Sequence, residues 1–268
     1  MRKVLRFLAA AGLLAVGVSP ALAQDDGSTA KLAKDLANPV ANLISVPLQY
    51  NYNSGIGPDD GHQSYINIQP VIPFSIAPNW NIISRTILPV VWQDDVVPGA
   101  GSQSGLGNTL QSFFLSPKDP GPGGLIWGVG PVIQIPTATD GIARNQWGLG
   151  PTGVALVQRG PVTMGLLANH VWSVTNNNGD NNMSNSYLQP FVVYTTPKAT
   201  SFGINTESTY NWESEEWSVP INAFVGQVVK VGDVPVQFNG GIRYWAESPE
   251  GGPQDWGARF QMTVMLPR

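Results

Sequence analysis

The chain has 268 residues, with 30 Gly, 23 Pro, no Cys and two His, and only 12% of its residues are charged. A disulfide scaffold, cysteine-ligated zinc, iron–sulfur clusters and thiol catalysis are excluded, and His62 and His170 are too few for a multi-histidine metal site within one chain. With 42% hydrophobic residues and a mean hydropathy of −0.04, the sequence is neither a low-hydrophobicity disordered chain nor a bundle of membrane-spanning helices.

The N-terminus has the three parts of a secretion signal. Arg2, Lys3 and Arg6 form a basic region, Phe7 to Val18 is apolar, and Ala21-Leu22-Ala23 is a small-residue cleavage site. The expected boundary puts residues 1–23 in the signal and Gln24 at the start of the mature chain. Its removal takes three positive charges away, shifting the formal net charge from −4 to −7. So acidic a chain is a poor nucleic-acid binder. No Cys follows the signal to carry a lipid anchor. Residues 24–41 read as a separate periplasmic segment. Ser28 or Thr29 is placed to cap a short helix through Lys31, Leu32, Lys34 and Leu36, stopped by Pro39. This segment either plugs a barrel mouth or hangs free, and a free tail is the default expectation.

From Asn42 onward the repeating period is two. Phe202, Ile204, Thr206, Ser208, Tyr210 and Trp212 alternate with Ser201, Gly203, Asn205, Glu207 and Thr209. Val234, Val236, Phe238, Gly240, Ile242 and Tyr244 alternate with Pro235, Gln237, Asn239, Gly241 and Arg243. Trp256, Ala258, Phe260, Met262, Val264 and Leu266 share one face, while Asp255, Gly257, Arg259, Gln261 and Thr263 share the other. Successive strand residues point to opposite faces, so each segment has one apolar and one polar or small face. These runs are about 10 to 14 residues long, against about 5 to 6 for an ordinary strand and about 9 to 11 for a tilted strand crossing a bilayer. Exported, long, alternating strands point to an all-β fold, a transmembrane antiparallel up-and-down barrel in residues 42–268.

Twelve such segments are predicted, at 42–53, 62–75, 79–92, 104–116, 124–136, 145–158, 161–174, 185–196, 200–212, 217–229, 234–246 and 255–266. Divided among twelve, the 227 residues from Asn42 to Arg268 give about 19 each, enough for a spanning strand and a connection. With the N-terminus in the periplasm, alternate connections face outward and carry most of the acidic residues, among them Asp59, Asp60, Asp94, Asp95, Asp140, Asp180, Glu213, Glu215, Glu216, Glu247 and Glu250. The shorter inner connections carry Lys118, Arg159, Lys198 and Lys230. Seven tryptophans (92, 147, 172, 212, 217, 245 and 256) fall near outer strand ends, and Trp80 and Trp127 near inner ends, as in the aromatic girdles of membrane barrels.

The stretches Leu36-Ala37-Asn38-Pro39-Val40-Ala41-Asn42-Leu43-Ile44-Ser45-Val46-Pro47-Leu48-Gln49, Gly105 to Phe114 and Gly130 to Thr137 resemble recurrent segments of a Gram-negative outer-membrane family. That family is associated with the meta-pathway of phenol degradation and is also called simply a transporter family. The resemblance runs over most of the mature chain. It implies a β-barrel in the outer membrane and uptake of hydrophobic or aromatic compounds, with no catalytic motif or cofactor.

Three functions are weighed. The leading one is a monomeric channel for passive uptake of small, hydrophobic or aromatic solutes, with outer-membrane lipid and lipopolysaccharide around it. Twelve strands lie between small filled barrels and large water-filled ones, so the lumen contents decide. Its constriction candidates are Arg85, Glu207, Arg243, Arg259, Asn205, Asn239, Gln237 and Gln261. They fit either a solute-selecting ring or an ion-pair network that fills a small barrel. Glycines 105, 107, 128, 130, 148 and 150 either widen one side or relieve crowding at bends. The second function is a structural barrel whose acidic loops, Glu213, Glu215 and Glu216 foremost, hold divalent cations against lipopolysaccharide. The third is an outer-membrane hydrolase. Trp172 is the i+2 neighbour of His170, while Ser173 points to the opposite face, so a local His–Ser pair fails and only a cross-strand partner is left. His62 with Asp59 and Asp60 is a loop alternative. The reading adopted is non-enzymatic.

Overall fold

A computed structural model describes residues 27–174 and 182–266, so the proposed signal sequence lies outside the described residues. The strands form one closed antiparallel sheet. They are β1 (Ile44–Ile56), β2 (Gly61–Ile68), β3 (Val71–Ala77), β4 (Trp80–Asp94), β5 (Gln103–Leu106), β6 (Thr109–Pro117), β7 (Leu125–Ile135), β8 (Gly148–Arg159), β9 (Val162–Ser173), β10 (Ser184–Thr195), β11 (Thr200–Thr206), β12 (Ser208–Asn211), β13 (Glu216–Val231), β14 (Val234–Glu247) and β15 (Gln254–Leu266). Three pairs (β2 with β3, β5 with β6, β11 with β12) are interrupted single staves, so the barrel has twelve. β1 pairs with β15 and β9 with β10, which closes the ring and leaves no sheet edge.

The interruptions have local causes. β2 and β3 keep one register against β4, and the gap holds Pro70, which has no N–H to give. β5 and β6 differ by one residue in their register on β4, so Gly107 and Asn108 form a bulge that flips the inward parity. β11 and β12 keep one register on β13, but Glu207 faces Pro220, so its carbonyl lacks the ladder donor.

Strand parity places side chains as the alternation requires. Phe202, Ile204, Phe238, Ile242, Trp256 and Phe260 are exposed on the outer wall, while Arg243, Arg259, Gln237 and Thr263 are buried inside. One end of the barrel has short connections, with two residues at Pro78-Asn79, Gly160-Pro161 and Gly232-Asp233. Gly160 and Gly232 adopt φ of 54° and 62°, which two-residue turns need and glycine supplies. The other end, here the long-loop end, has connections such as 95–102 and 136–147. The sorting of charge between ends is less complete than expected: Asp119 and Asp233 stand beside Lys118 and Lys230 at the short-turn end, and Arg144 lies in a long loop.

Trp92, Trp147, Trp172, Trp212, Trp217 and Trp256 are exposed on the outer wall near the long-loop end. Trp245 departs from the expected girdle. It shares the inward parity of Arg243, donates Nε1–H to Asn53 Oδ1 at 3.2 Å, and lies under the Arg243 guanidinium.

Helix α1 (Ser28–Leu36) packs on the short-turn end instead of hanging free. Ser28 and Thr29 do not cap it. Gly27 takes the cap position with φ 78°, inside a five-residue bond from Lys31 N–H to its carbonyl. Ala33 is buried with Leu43, Ala199, Val228 and Met265. Gln158 Nε2–H bonds the Lys34 carbonyl at 2.9 Å and ties the helix to β8.

Candidate functional site: the barrel lumen

Beyond α1 the chain turns inward. Asn38 Oδ1 accepts the Val40 N–H at 3.0 Å, and Val40 enters a cluster of inward side chains, Ile83, Phe114, Val154, Leu156, Leu167, Phe191 and Val193. A Cβ on Gly128 would lie 3.1 Å from Val40 Cγ1 and 3.1 Å from Phe114 Cβ. Gly128 therefore makes room for the segment and does not widen the lumen. Gly105 plays the same part at the other end, where Thr139 of the 136–147 loop folds over it. That loop is held by Thr139 N–H to the Leu106 carbonyl, by Leu106 N–H to Thr139 Oγ1, and by Asn108 Nδ2–H to the Arg144 carbonyl. The glycine alternation thus relieves crowding.

Midway up the barrel lies a charged cluster. Glu207 accepts from Arg259 Nη1 at 2.7 Å and Nη2 at 2.6 Å, and from Arg243 Nη2 at 2.9 Å. Arg243, only 1% exposed, spends its other donors on Asn222 Oδ1, Asn53 Oδ1 and the Tyr65 hydroxyl. Arg259 Nε bonds Asn51 Oδ1 at 2.8 Å. Two guanidiniums around one carboxylate leave one positive charge over, and the ring of amide oxygens satisfies donors without neutralising it.

Below the cluster runs a belt of amides. Gln49 donates to Gln261, Gln69 to Gln49, and Arg85 Nη2 to Gln69 at 3.3 Å. Asn205 accepts from Asn222, linking β11 to the Arg243 shell. Gln237 and Asn239 line the same space, and Asn239 Oδ1 is buried without a partner. The eight constriction candidates therefore all face one lumen: Glu207, Arg243 and Arg259 bond directly, Asn205 joins through Asn222, and Arg85, Gln261, Gln237 and Asn239 line the wall beneath.

Between this layer and the 27–43 segment is a cavity of about 220 Å³. Its floor holds Asp35, Leu36, Ala37 and Pro39, and its walls combine Arg85, Arg259, Gln49 and Asn239 with Val71, Phe191 and Phe224. Asp35 has its carboxyl pKa raised by burial, partly offset by Lys31 and Lys34. Arg85, Arg243 and Arg259 against Glu207 and Asp35 leave a formal +1 around the cavity when Asp35 is ionised. Above the cluster, Gln63, Gln93 and Gln103 bond in series, and Gln93 reaches the Gly141 carbonyl.

Residues missed by the sequence reading are the arginine acceptors Asn51, Asn53 and Asn222, together with Tyr65 and Val40. Asn51 and Asn53 alternate with Tyr50 and Tyr52, so the same period of two marks them. The histidines separate. His62 is exposed at the long-loop end against Tyr52, whereas His170 faces outward from β9. Among the described residues no group of three or more His, Asp or Glu is placed to hold a metal ion.

Comparison of the sequence with known families and with curated proteins returns no match. Solved structures do share the fold. The COG4313 outer membrane channel from Pseudomonas putida F1 superposes with a TM-score of 0.65 at 12% identity, over 84% of this chain and 96% of that one. Outer membrane phospholipase A from Escherichia coli gives 0.47 at 13% identity, over 82% and 89%. The chain has the fold of an outer-membrane β-barrel.

Proposed function

We propose that this protein is an outer-membrane channel for passive entry of small solutes, with a preference for anions that carry an apolar body, such as aromatic carboxylates. The observation that carries this reading is the lumen cavity, amphipathic in its walls and bordered by a cluster of net positive charge. A carboxylate is drawn by Arg85 and by the surplus charge of the Arg243–Glu207–Arg259 group, while Val71, Phe191 and Phe224 accept a ring. The volume of about 220 Å³ falls below the range of about 300–1,000 Å³ typical of ligand pockets, which restricts passage to small molecules. The COG4313 channel of like fold supports a conducting role. The same reading places the protein in the outer membrane after removal of residues 1–23, with residues 24–41 on the periplasmic side as a movable stopper.

Reconstitution into liposomes tests this. Benzoate is expected to enter faster than an uncharged sugar or an aromatic amine of similar size, and deletion of residues 24–41 is expected to raise all rates. Absence of entry by every solute, with and without the segment, in a barrel whose folding is confirmed by heat-shifted gel mobility, refutes a channel. Equal entry of anion and cation refutes the selectivity.

A further inference from the structure

The outer wall carries polar chemistry that the lumen does not use. On β9, β10 and the residue after β12, the side chains of His170, Ser184, Ser186 and Trp212 all point away from the lumen and meet across strands. His170 Nδ1 lies 2.7 Å from Ser186 Oγ, and His170 Nε2 lies 3.3 Å from Ser184 Oγ. Trp212 Nε1–H donates to Ser186 Oγ at 2.9 Å. One arrangement of protons satisfies all three contacts. Nε2–H donates to Ser184, the bare Nδ1 accepts the Ser186 hydroxyl, and the indole N–H holds the Ser186 oxygen from the other side.

We propose that Ser186 and His170 form a serine–histidine esterase site on the outer wall, acting on the acyl-ester bond of a lipid lying against the barrel.

The parts of a nucleophilic site are present in order: a hydroxyl, a base within hydrogen-bond reach, and a group that orients the base. The surroundings choose the substrate. The site lies near the long-loop end, at the level of the exposed Trp172 and Trp212, where the aromatic belt of a membrane barrel meets the interface. Lipid ester groups lie at that same boundary between hydrocarbon and headgroup. Toward the barrel's middle, Gly153, Ala168 and Leu188 line an open groove that a single acyl chain follows.

The backbone at His170 is also irregular. Pro151 on β8 faces His170 and has no N–H to give, so pairing lapses between Leu149–Trp172 and Thr152–Asn169. The freed His170 carbonyl turns over Gly150, where a Cβ would lie 1.7 Å from it.

In the first step Ser186 Oγ bonds to the ester carbonyl carbon and its proton passes to His170 Nδ1. The carbon–alkoxy bond breaks, and the alcohol leaves with that proton. Water then attacks the acyl-serine with His170 again as base, releasing the fatty acid and restoring Ser186. Ester plus water gives acid plus alcohol, with no further reactant. Ser184 is a positioning residue. This site is separate from the lumen, so the channel and the esterase stand or fall independently.

The test uses the full-length protein refolded in detergent, with heat-shifted mobility as the folding check for every variant. A fluorophosphonate probe is expected to label Ser186, located by peptide mass. Fatty acid is expected to be released from phosphatidylethanolamine or from purified lipid A in mixed micelles, and which of the two is cleaved identifies the lipid. Ser186→Ala and His170→Asn are each expected to lower release on the order of 100-fold or more. Ser184→Ala is expected to shift the pH–rate profile while Ser186 remains the labelled residue. The proposal is overturned if folded wild-type protein neither takes the probe nor releases fatty acid from either lipid, or if labelling survives in Ser186→Ala.

Discussion

Replacing Glu207 by Gln isolates what the charged cluster contributes. The carboxylate accepts three charge-assisted hydrogen bonds from two guanidiniums, and its side chain is 20% exposed while that of Arg243 is 1% exposed. Such bonds contribute about 1.5–3 kcal/mol each. An amide keeps one acceptor oxygen and turns an NH₂ toward a donor, so at least one bond is lost and the two guanidiniums face each other unscreened. Removing one partner of a buried ion pair costs about 3–5 kcal/mol, and this is the drop expected in unfolding free energy for Glu207→Gln. Urea unfolding in detergent, followed by tryptophan fluorescence and by the loss of compact gel mobility, measures it. The double variant Glu207→Gln/Arg259→Gln is expected to recover part of the loss, because it takes away one of the two facing guanidiniums and returns the cluster to its original net charge of +1. A drop below about 1 kcal/mol in the single variant would refute the reasoning, since it would mean that lumen water already solvates both arginines.

The docking of α1 is expected to depend on pH. Burial raises the Asp35 pKa, so the docked segment holds its proton more strongly than the free segment does. Docking is strongest below the ordinary carboxylate range and weakens as pH rises through the raised value, and Asp35→Asn abolishes the dependence. A nitroxide label at Thr29 is expected to gain mobility with rising pH in the wild type but not in the variant. Gly128→Val is expected to cost about 1–3 kcal/mol by overpacking against Val40 and Phe114. It should expose the 27–43 segment to protease while the barrel keeps its heat-shifted mobility; an unchanged digestion pattern would show that the glycine is not needed for seating.

The barrel was legible because its cause is local. Phe238, Ile242 and Tyr244 against Gln237, Asn239 and Arg243 state both faces of a stave within eight residues, and the register of β15 repeats the statement. The direction of Trp245 was legible in the same parity, but its place at a strand end pulled the reading toward a girdle. What escaped depends on partners distant in sequence. The break at Glu207 is caused by Pro220, and the seat of Val40 by the missing side chain of Gly128. The Ser186 hydroxyl meets His170 only once β9 and β10 are in register. Composition along one strand cannot encode which residue arrives from the next, so the lumen candidates emerged as a set of side chains but not as a bonded cluster.

The seam has a consequence for how the molecule is made. Ile44 pairs with Leu266, so the closing ladder joins the first stave to the last across nearly the whole barrel sequence. Contacts of such sequence separation are slow to form. Leu43, one residue before the seam, shares its buried cluster with Met265, which lies next to Ile44's partner Leu266, and with Ala33 of the helix. The leading segment therefore fastens the join that it precedes. It can do so only after every other stave is in place, which makes its seating a natural last step of assembly.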